Sequence, residues 1–243
     1  MKLSIITATY NSSKTVEDTL ISVREQSYPL IEHIIVDGAS RDNTLDVVKQ
    51  FPHISMLLSE KDNGIYDAMN KGISLAKGEV VGILNSDDIY SNEQVISKVM
   101  KAFEDLRIDA VYGDLQYVSQ HYLRKVTRTW QAGDYARRKF YFGWMPPHPT
   151  FFVRRTVYEK IGFFNCALRS SADYEFMLRA LLKYNYKAYY IPEVLVKMRN
   201  GGMSNASLKH RLRANREDRE AWRLNELQPY FFTVPFKPIR KIF

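Results

Sequence analysis

The first hundred residues alternate short apolar runs with stretches of helical spacing, and few folds satisfy that alternation. Residues 3–8, 31–36, 54–58 and 80–84 read as strands. Between and after them, residues 13–26 carry Val16, Leu20 and Val23 on one helical face. Residues 44–50 follow the candidate cap Asp42 and stop before Pro52, residues 66–76 stop before Gly78, and residues 94–103 read as a fourth helix. Such repetition predicts an α/β fold with a mainly parallel central sheet and helices on both faces. Right-handed crossovers bring the C-terminal strand ends to one edge. Thr9-Tyr10-Asn11, Asp37 and Asp87-Asp88 all follow strands, so they should converge there.

The pattern changes after Asp109. A strand begins at residues 110–114, and residues 115–129 read as an antiparallel hairpin. Pro146, Pro147 and Pro149 make residues 143–149 a loop. A strand at 150–153, a short helix at 155–160 and a helix at 173–184 follow. Residues 187–196 form a strand that Pro192 assigns to a position near an edge. Residues 206–225 read as a long basic helix, and residues 229–243 mix aromatics, prolines and cations in an amphipathic tail.

The adjacent acids Asp87 and Asp88, at the end of a buried strand, repel one another and invite a cation. Hard ions such as Mg²⁺ take oxygen ligands and are shared between carboxylates and substrate phosphates. The alternative is a solvated turn that caps the next helix. The single cysteine, Cys166, excludes an internal disulfide framework and a cysteine zinc cluster, and fits a reducing cytoplasm. The apolar run in Met1-Lys2-Leu3-Ser4-Ile5-Ile6 is too short for a signal peptide or a span, and no other stretch reaches spanning length. The expectation is a cytoplasmic protein, soluble or peripheral to the inner membrane. Net charge is +8, with nine lysines and arginines between residues 209 and 241 against four acids. Such a surface suits nucleic acid, anionic lipid or a phosphorylated substrate, or is a solvated helix face.

Five segments together resemble the family 2 glycosyltransferases of GT-A fold. They are Ser4-Ile5-Ile6-Thr7-Ala8-Thr9-Tyr10-Asn11, residues 34–44 with Asp37-Gly38-Ala39-Ser40, residues 60–72 with Asp62-Asn63-Gly64-Ile65-Tyr66-Asp67, Leu84-Asn85-Ser86-Asp87-Asp88, and Ser171-Ala172-Asp173-Tyr174-Glu175-Phe176. Gly64-Ile65-Tyr66-Asp67-Ala68-Met69-Asn70 and Gly201-Gly202-Met203-Ser204 resemble the bacterial surface-polysaccharide branch of that family. The resemblance implies a GT-A domain over residues 1–205, with a nucleotide-binding half (1–108), an acceptor-binding half (109–205) and a C-terminal helix and tail (206–243).

The resemblance also implies roles. Thr7, Ala8, Thr9, Tyr10 and Asn11 would line the nucleotide pocket. Asp37 would accept a hydrogen bond from the base, uracil N–H being the natural donor, or else it is a turn residue. Asp62 would sit near ribose or base, or cap its own loop. Asp67 and Lys71, four apart on a helix, pair with each other. Ser86 and Asp87 belong to the nucleotide site, and Asp87 and Asp88 hold Mg²⁺ or Mn²⁺. Asn85 stands where the family's Asp-x-Asp motif has its first acid. Asp173 is the candidate general base at a helix start, where the dipole favours its ionised form. Its alternative is an N-cap, Glu175 is the second candidate base, and Ala172 replaces the frequent preceding Glu. His148 faces the acceptor, or packs against Trp144. With Arg199, Gly202 and Ser204 it makes up the acceptor-binding set, the glycine loop suiting a diphosphate.

The implied reaction is inverting, metal-dependent transfer from a nucleotide-diphosphate sugar, with UDP the expected nucleotide, to a saccharide or polyprenyl-diphosphate-linked hydroxyl. The tail would lie on an anionic bilayer, or pack on the domain or on a second subunit in a homodimer. Two other readings compete. One is an inactive GT-A-like binding protein, suggested by Asn85 and Ala172. The other is a basic nucleic-acid-binding module on the 206–225 helix, which leaves the acids at the strand ends unexplained, so no nucleic-acid partner is expected.

Overall fold

The computed structural model describes residues 1–201 and 208–240, with side chains through Gly201 and from Leu212 to Lys237. The first half follows the strand–helix alternation: β1 (Leu3–Thr9), α1 (Val16–Arg24), β2 (Ile31–Asp37), α2 (Thr44–Val48), β3 (Ile54–Ser59), α3 (Ile65–Leu75), β4 (Val80–Ile83), β5 (Ile89–Tyr90) and α4 (Val95–Ala102). The second half holds β6 (Ala110–Val118), β7 (Val126–Trp130), α5 (Arg137–Tyr141), a 3₁₀ turn (His148–Thr150), β8 (Phe152–Arg154) and α6 (Arg155–Ile161). After it come α7 (Ala172–Met177), which runs into a π-helical stretch (Leu178–Lys183), then β9 (Ala188–Arg199), α8 (Leu208–Leu224) and α9 (Thr233–Arg240).

One sheet carries the order β3-β2-β1-β4-β8-β6-β9-β5, with β7 paired to β6. The β1–β2, β1–β4, β2–β3 and β6–β9 pairs are parallel. β8 runs antiparallel to both β4 and β6, an interruption that strand spacing alone does not reveal. Alternation along β1 serves the two faces. Leu3 and Ile5 join the core under α4, while Ile6 and Ala8 join the core under α3. Helices therefore cover both sides, as the sequence pattern predicts. Gly72 on α3 lets that helix approach closely, because a Cβ there would collide with Ile6.

Pro192 lies inside β9, which pairs with β6 on one side and with β5 on the other. It is tolerated because the β6–β9 register jumps from Gly113↔Ile191 to Asp114↔Val194 and thus skips Pro192, while β5 reaches only Val196 and Lys197. The C-terminal elements join the main core, which includes Ala221 and Trp222 of α8 and Val234 of α9 along with Tyr174 and Phe176 of α7. Among the described residues no helix is long and apolar enough to cross a membrane.

The order 3-2-1-4 sets the position of the site. The chain adds β2 and β3 on one side of β1 and then crosses to place β4 on the other. The C-terminal ends of β1 and β4 thus flank a topological switch point, where such sheets open a crevice.

Candidate active site

Two loops meet at that crevice. Ser12, after β1, and Ser86, after β4, share a hydroxyl–hydroxyl hydrogen bond of 2.8 Å. The loop after β1 is pinned to the loop after β2. The Asn11 N–H donates to Ser40 Oγ (2.8 Å), Asn11 Oδ1 accepts from the Arg41 N–H (2.9 Å), and the Ser12 N–H donates to Thr44 Oγ1 (2.7 Å). Asn11 itself adopts φ 50°, a left-handed conformation that Asn tolerates. Tyr10 is left 60% exposed beside the opening.

Within the expected nucleotide-lining run, side-chain burial divides the residues. Thr7 is buried and its hydroxyl meets His33 Nε2 at 3.1 Å. Ala8 packs in the core, and Thr9 donates to Asp37 Oδ1 at 3.0 Å. Only Tyr10 and Asn11 turn side chains outward.

Asp37, expected to meet the base, lies at the end of β2 among donors from three segments. It is fully buried, and its carboxylate accepts from Thr9, from Ser40 through both N–H (3.0 Å) and hydroxyl, and from Ser59 Oγ (2.7 Å). Four donors fill a carboxylate's acceptor sites, so Asp37 braces the loops. The opening beside it belongs to Asp62. A Cβ on Gly38 would collide with the Asp62 carboxylate and touch the Tyr10 ring, so the glycine lets that acid and that ring approach one another. Asp62 Oδ1 also accepts the Gly64 N–H at 2.9 Å, fixing its own loop. Asp67 pairs with Lys71 (3.5 Å) as predicted, though Glu60 is the closer partner of Lys71 (2.8 Å).

The acidic turn after β4 is held from below. Thr19 Oγ1 donates to the Asp88 carbonyl (2.7 Å), and Asn85 Nδ2 donates to Asp88 Oδ2 (2.9 Å). Arg199 Nη1 donates to the Asp87 carbonyl (2.8 Å), its Nη2 pairs with Asp18, and its Nε donates to the Gln120 carbonyl (3.2 Å). Arg199, expected among the acceptor contacts, is only 6% exposed and makes these bonds within the protein, propping the acidic turn. Gly202 and Ser204 lie outside the described residues.

Asp88 Oδ1 and Asn85 Oδ1 are buried and accept no hydrogen bond. Burial first, and then the neighbouring Asp87 charge, pushes the Asp88 carboxyl well above the usual range; burial raises Asp87 too. Buried oxygens without donors, beside two carboxylates, fit a hard divalent cation. Among the described residues no three His, Cys, Asp or Glu side chains gather into a metal site, so such an ion would complete its shell with substrate oxygens and water.

Across the crevice, Asp173 occupies the first turn of α7. Ser171, not Asp173, is the N-cap. Tyr66 of α3 donates its hydroxyl to Asp173 Oδ1 at 2.8 Å. Burial pushes the Asp173 carboxyl up, but the charges of His148 and Lys237, the Tyr66 hydrogen bond and the Tyr174 N–H together hold it below the usual range. Burial holds the His148 imidazole below its usual range, opposed by the Asp173 charge, and its ring stands edge-on to Phe164 (6.2 Å between centroids). Glu175 is buried in an ion pair with Arg179 (3.1 Å) and a hydrogen bond from Asn225 (3.0 Å), which removes it as a base.

Sequence reasoning named Tyr66 without giving it a role and treated Lys237 only as a tail cation. Lys237 is buried, pairs with Asp218 at 2.7 Å and lies 3.5 Å above the Tyr174 ring centre. The signal for Tyr66 was its position at the start of a helix that follows a strand end. Nothing local marked Lys237.

The chain matches the model described as Glycosyl transferase family 2 over residues 4–168. It is 30% identical over 208 residues to a PGL/p-HBAD biosynthesis glycosyltransferase of Mycobacterium bovis (strain BCG / Pasteur 1173P2), covering 83% of this chain and 78% of that protein. Crystallised S. aureus TarS 1-349 in complex with UDP-GlcNAc superposes with a TM-score of 0.70 at 21% identity, over 93% of this chain and 65% of that one. The mannosyltransferase PcManGT from Pyrobaculum calidifontis, in complex with GDP-Man and Mn²⁺, gives 0.68 at 21% identity, over 98% and 68%.

Proposed function

The chain belongs to glycosyl transferase family 2, and from that premise we propose that it transfers a sugar from a nucleotide-diphosphate donor, UDP-linked in the first instance, to the hydroxyl of a saccharide or polyprenyl-diphosphate-linked acceptor. The reading is supported above all by the unpartnered buried oxygens of Asn85 and Asp88 beside Asp87, at the switch point of a GT-A sheet.

Tyr10 would offer a face for the nucleoside, and Asp62 an acceptor oxygen for a base or ribose donor. Asp87 and Asp88, with the carbonyl oxygen of Asn85, would hold Mg²⁺ or Mn²⁺. A bound cation would neutralise the charge that builds on the departing diphosphate. Arg199 keeps the turn in place from beneath. Asp173 takes the proton of the acceptor hydroxyl as that oxygen bonds to the anomeric carbon. The anomeric C–O bond breaks and its electron pair leaves with the diphosphate. One displacement inverts the centre, and no covalent nucleophile is required. Tyr66 orients the base by holding Oδ1, so that Oδ2 is presented to the acceptor.

The experiment is a panel of nucleotide sugars with Mn²⁺, read both as thermal shift and as released nucleotide. A donor at about 100 times its Kd should add about 2.7 kcal/mol of stability. Asp87→Asn should abolish the metal-dependent shift. Asp173→Asn should keep the shift and lose about 10²–10⁴-fold in transfer. If no nucleotide sugar stabilises the protein with either metal, the proposed reaction fails.

A further inference from the structure

The outer side of α9 and the end of α5 form one exposed aromatic surface. Phe142 meets Tyr230 at 6.1 Å and Phe232 at 5.7 Å between ring centroids, and Phe232 meets Tyr230, Phe231 and Phe236 at 5.2–5.3 Å. Phe231 is 92% exposed, Tyr230 53%, Phe142 45% and Phe236 44%. Scattered apolar residues on a surface are ordinary, but a contiguous aromatic patch marks an interaction site. α9 is two-sided: Thr233, Val234 and Lys237 face the core, whereas Phe236 faces out.

Charge identifies the partner. Residues 135–147 and 228–240, which carry these rings, contain five lysines and arginines and no acid; Lys237 is spent on Asp218, and the other four have no acid within their own segments. Arg138 is exposed and stands four residues before Phe142, on the same side of α5. Arg216, Arg219 and Arg223 of α8 line a separate groove of about 400 Å³, and the one acid in its lining, Glu220, is paired to Arg223.

We propose that this aromatic surface seats the protein on an anionic lipid bilayer, with its rings in the interfacial layer and its flanking cations over the headgroups. Aromatic rings favour that layer, and cations beside them are drawn to anionic lipid. The consequence for catalysis rests on the glycosyltransferase reading. Lys237 follows Phe236 directly and lies over Tyr174, the neighbour of Asp173, so α9 joins the docked surface on its outer side to α7, which carries Asp173, on its inner side. An acceptor whose apolar carrier stays in the bilayer would then reach Asp173 by its hydroxyl.

The test is flotation of the full chain with phosphatidylcholine vesicles and with vesicles containing about 30% phosphatidylglycerol. The chain should float with the anionic vesicles and remain soluble with the neutral ones. Phe231→Ser/Phe236→Ser and, separately, Arg138→Glu should each weaken that binding about tenfold, with unchanged melting temperature. Equal soluble fractions with and without anionic vesicles overturn the proposal, as does a double variant that floats like its parent. A dimer seen by sedimentation that the double variant abolishes, without flotation, assigns the surface to a second copy and overturns it too. Flotation is read without any donor, so an absence of sugar transfer counts against the proposed reaction and leaves the docking result standing.

Discussion

To serve as the proposed base, Asp173 has to remain ionised where burial opposes it, and its neighbours decide the contest. Tyr66 from α3, His148 from the 3₁₀ turn and Lys237 from α9 all favour the anion. Tyr66→Phe removes one hydrogen bond to a charged oxygen, a loss of roughly 1.5–3 kcal/mol. The expected outcome is transfer slowed about tenfold or more, with donor-induced thermal shift intact. The acid limb of the pH–rate profile should move to higher pH, because the carboxyl loses a donor that held it down; an unmoved limb would make Tyr66 a packing residue only. His33 behaves in the opposite sense. It is fully buried between Thr7 and His53, and burial pushes its pKa down to about 3. The unfolded chain therefore takes up a proton that the folded one refuses. Stability is unaffected by this group above about pH 6.5 and falls as pH drops from there toward 3, by about 1.4 kcal/mol per pH unit. Denaturant titrations between pH 7 and 5 should show this slope in the parent and a shallower one in His33→Gln. Asp87 and Asp88 stand out in the sequence by type and strand-end position, whereas Asp173 is singled out only through the family resemblance. The partners of Asp37 and Arg199, Ser59 for one and Asp18 and Gln120 for the other, are not legible because they are distant in sequence.

At the scale of elements, α9 is tied down by a buried charge pair and a close backbone approach. Gly143, at φ 78°, is a position where a Cβ would strike the Lys237 backbone. The Thr233 hydroxyl donates to the Tyr141 carbonyl at 2.6 Å. Lys237→Met should cost about 3–5 kcal/mol by leaving Asp218 buried and unpaired, and Asp218→Leu/Lys237→Met should recover most of that loss. Stability and catalysis should then separate. The double variant lacks the positive charge that lowers Asp173, so its acid limb should stand at higher pH than the parent's although its melting temperature is restored. Strand and helix assignments in residues 1–109 were readable because each element carries its own period. The inserted direction of β8 and the bulge that accommodates Pro192 were not, since both are properties of strand pairs.

For the whole molecule, the C-terminal helices are part of the core. Trp222 is fully buried, its indole N–H donates to the Tyr174 hydroxyl (2.9 Å), and its ring packs on Tyr141 (5.0 Å). A chain ending at residue 205 would uncover Tyr174 and Tyr141 and is expected to lose its cooperative melting transition, checked by calorimetry against the full chain. The sequence alone determined the α/β class, the family resemblance and the placing of Asp87 and Asp88 after a strand, because periodicity and strand-end position are local properties of the chain. Only the tertiary structure decided that Asp37 gathers donors from three segments, that Asp62 and Tyr10 close on Gly38, and that the charge of Lys237, from the far end of the chain, favours the ionised Asp173. Those outcomes depend on which groups meet across the fold, and a carboxylate's role is set by how many donors reach it in three dimensions.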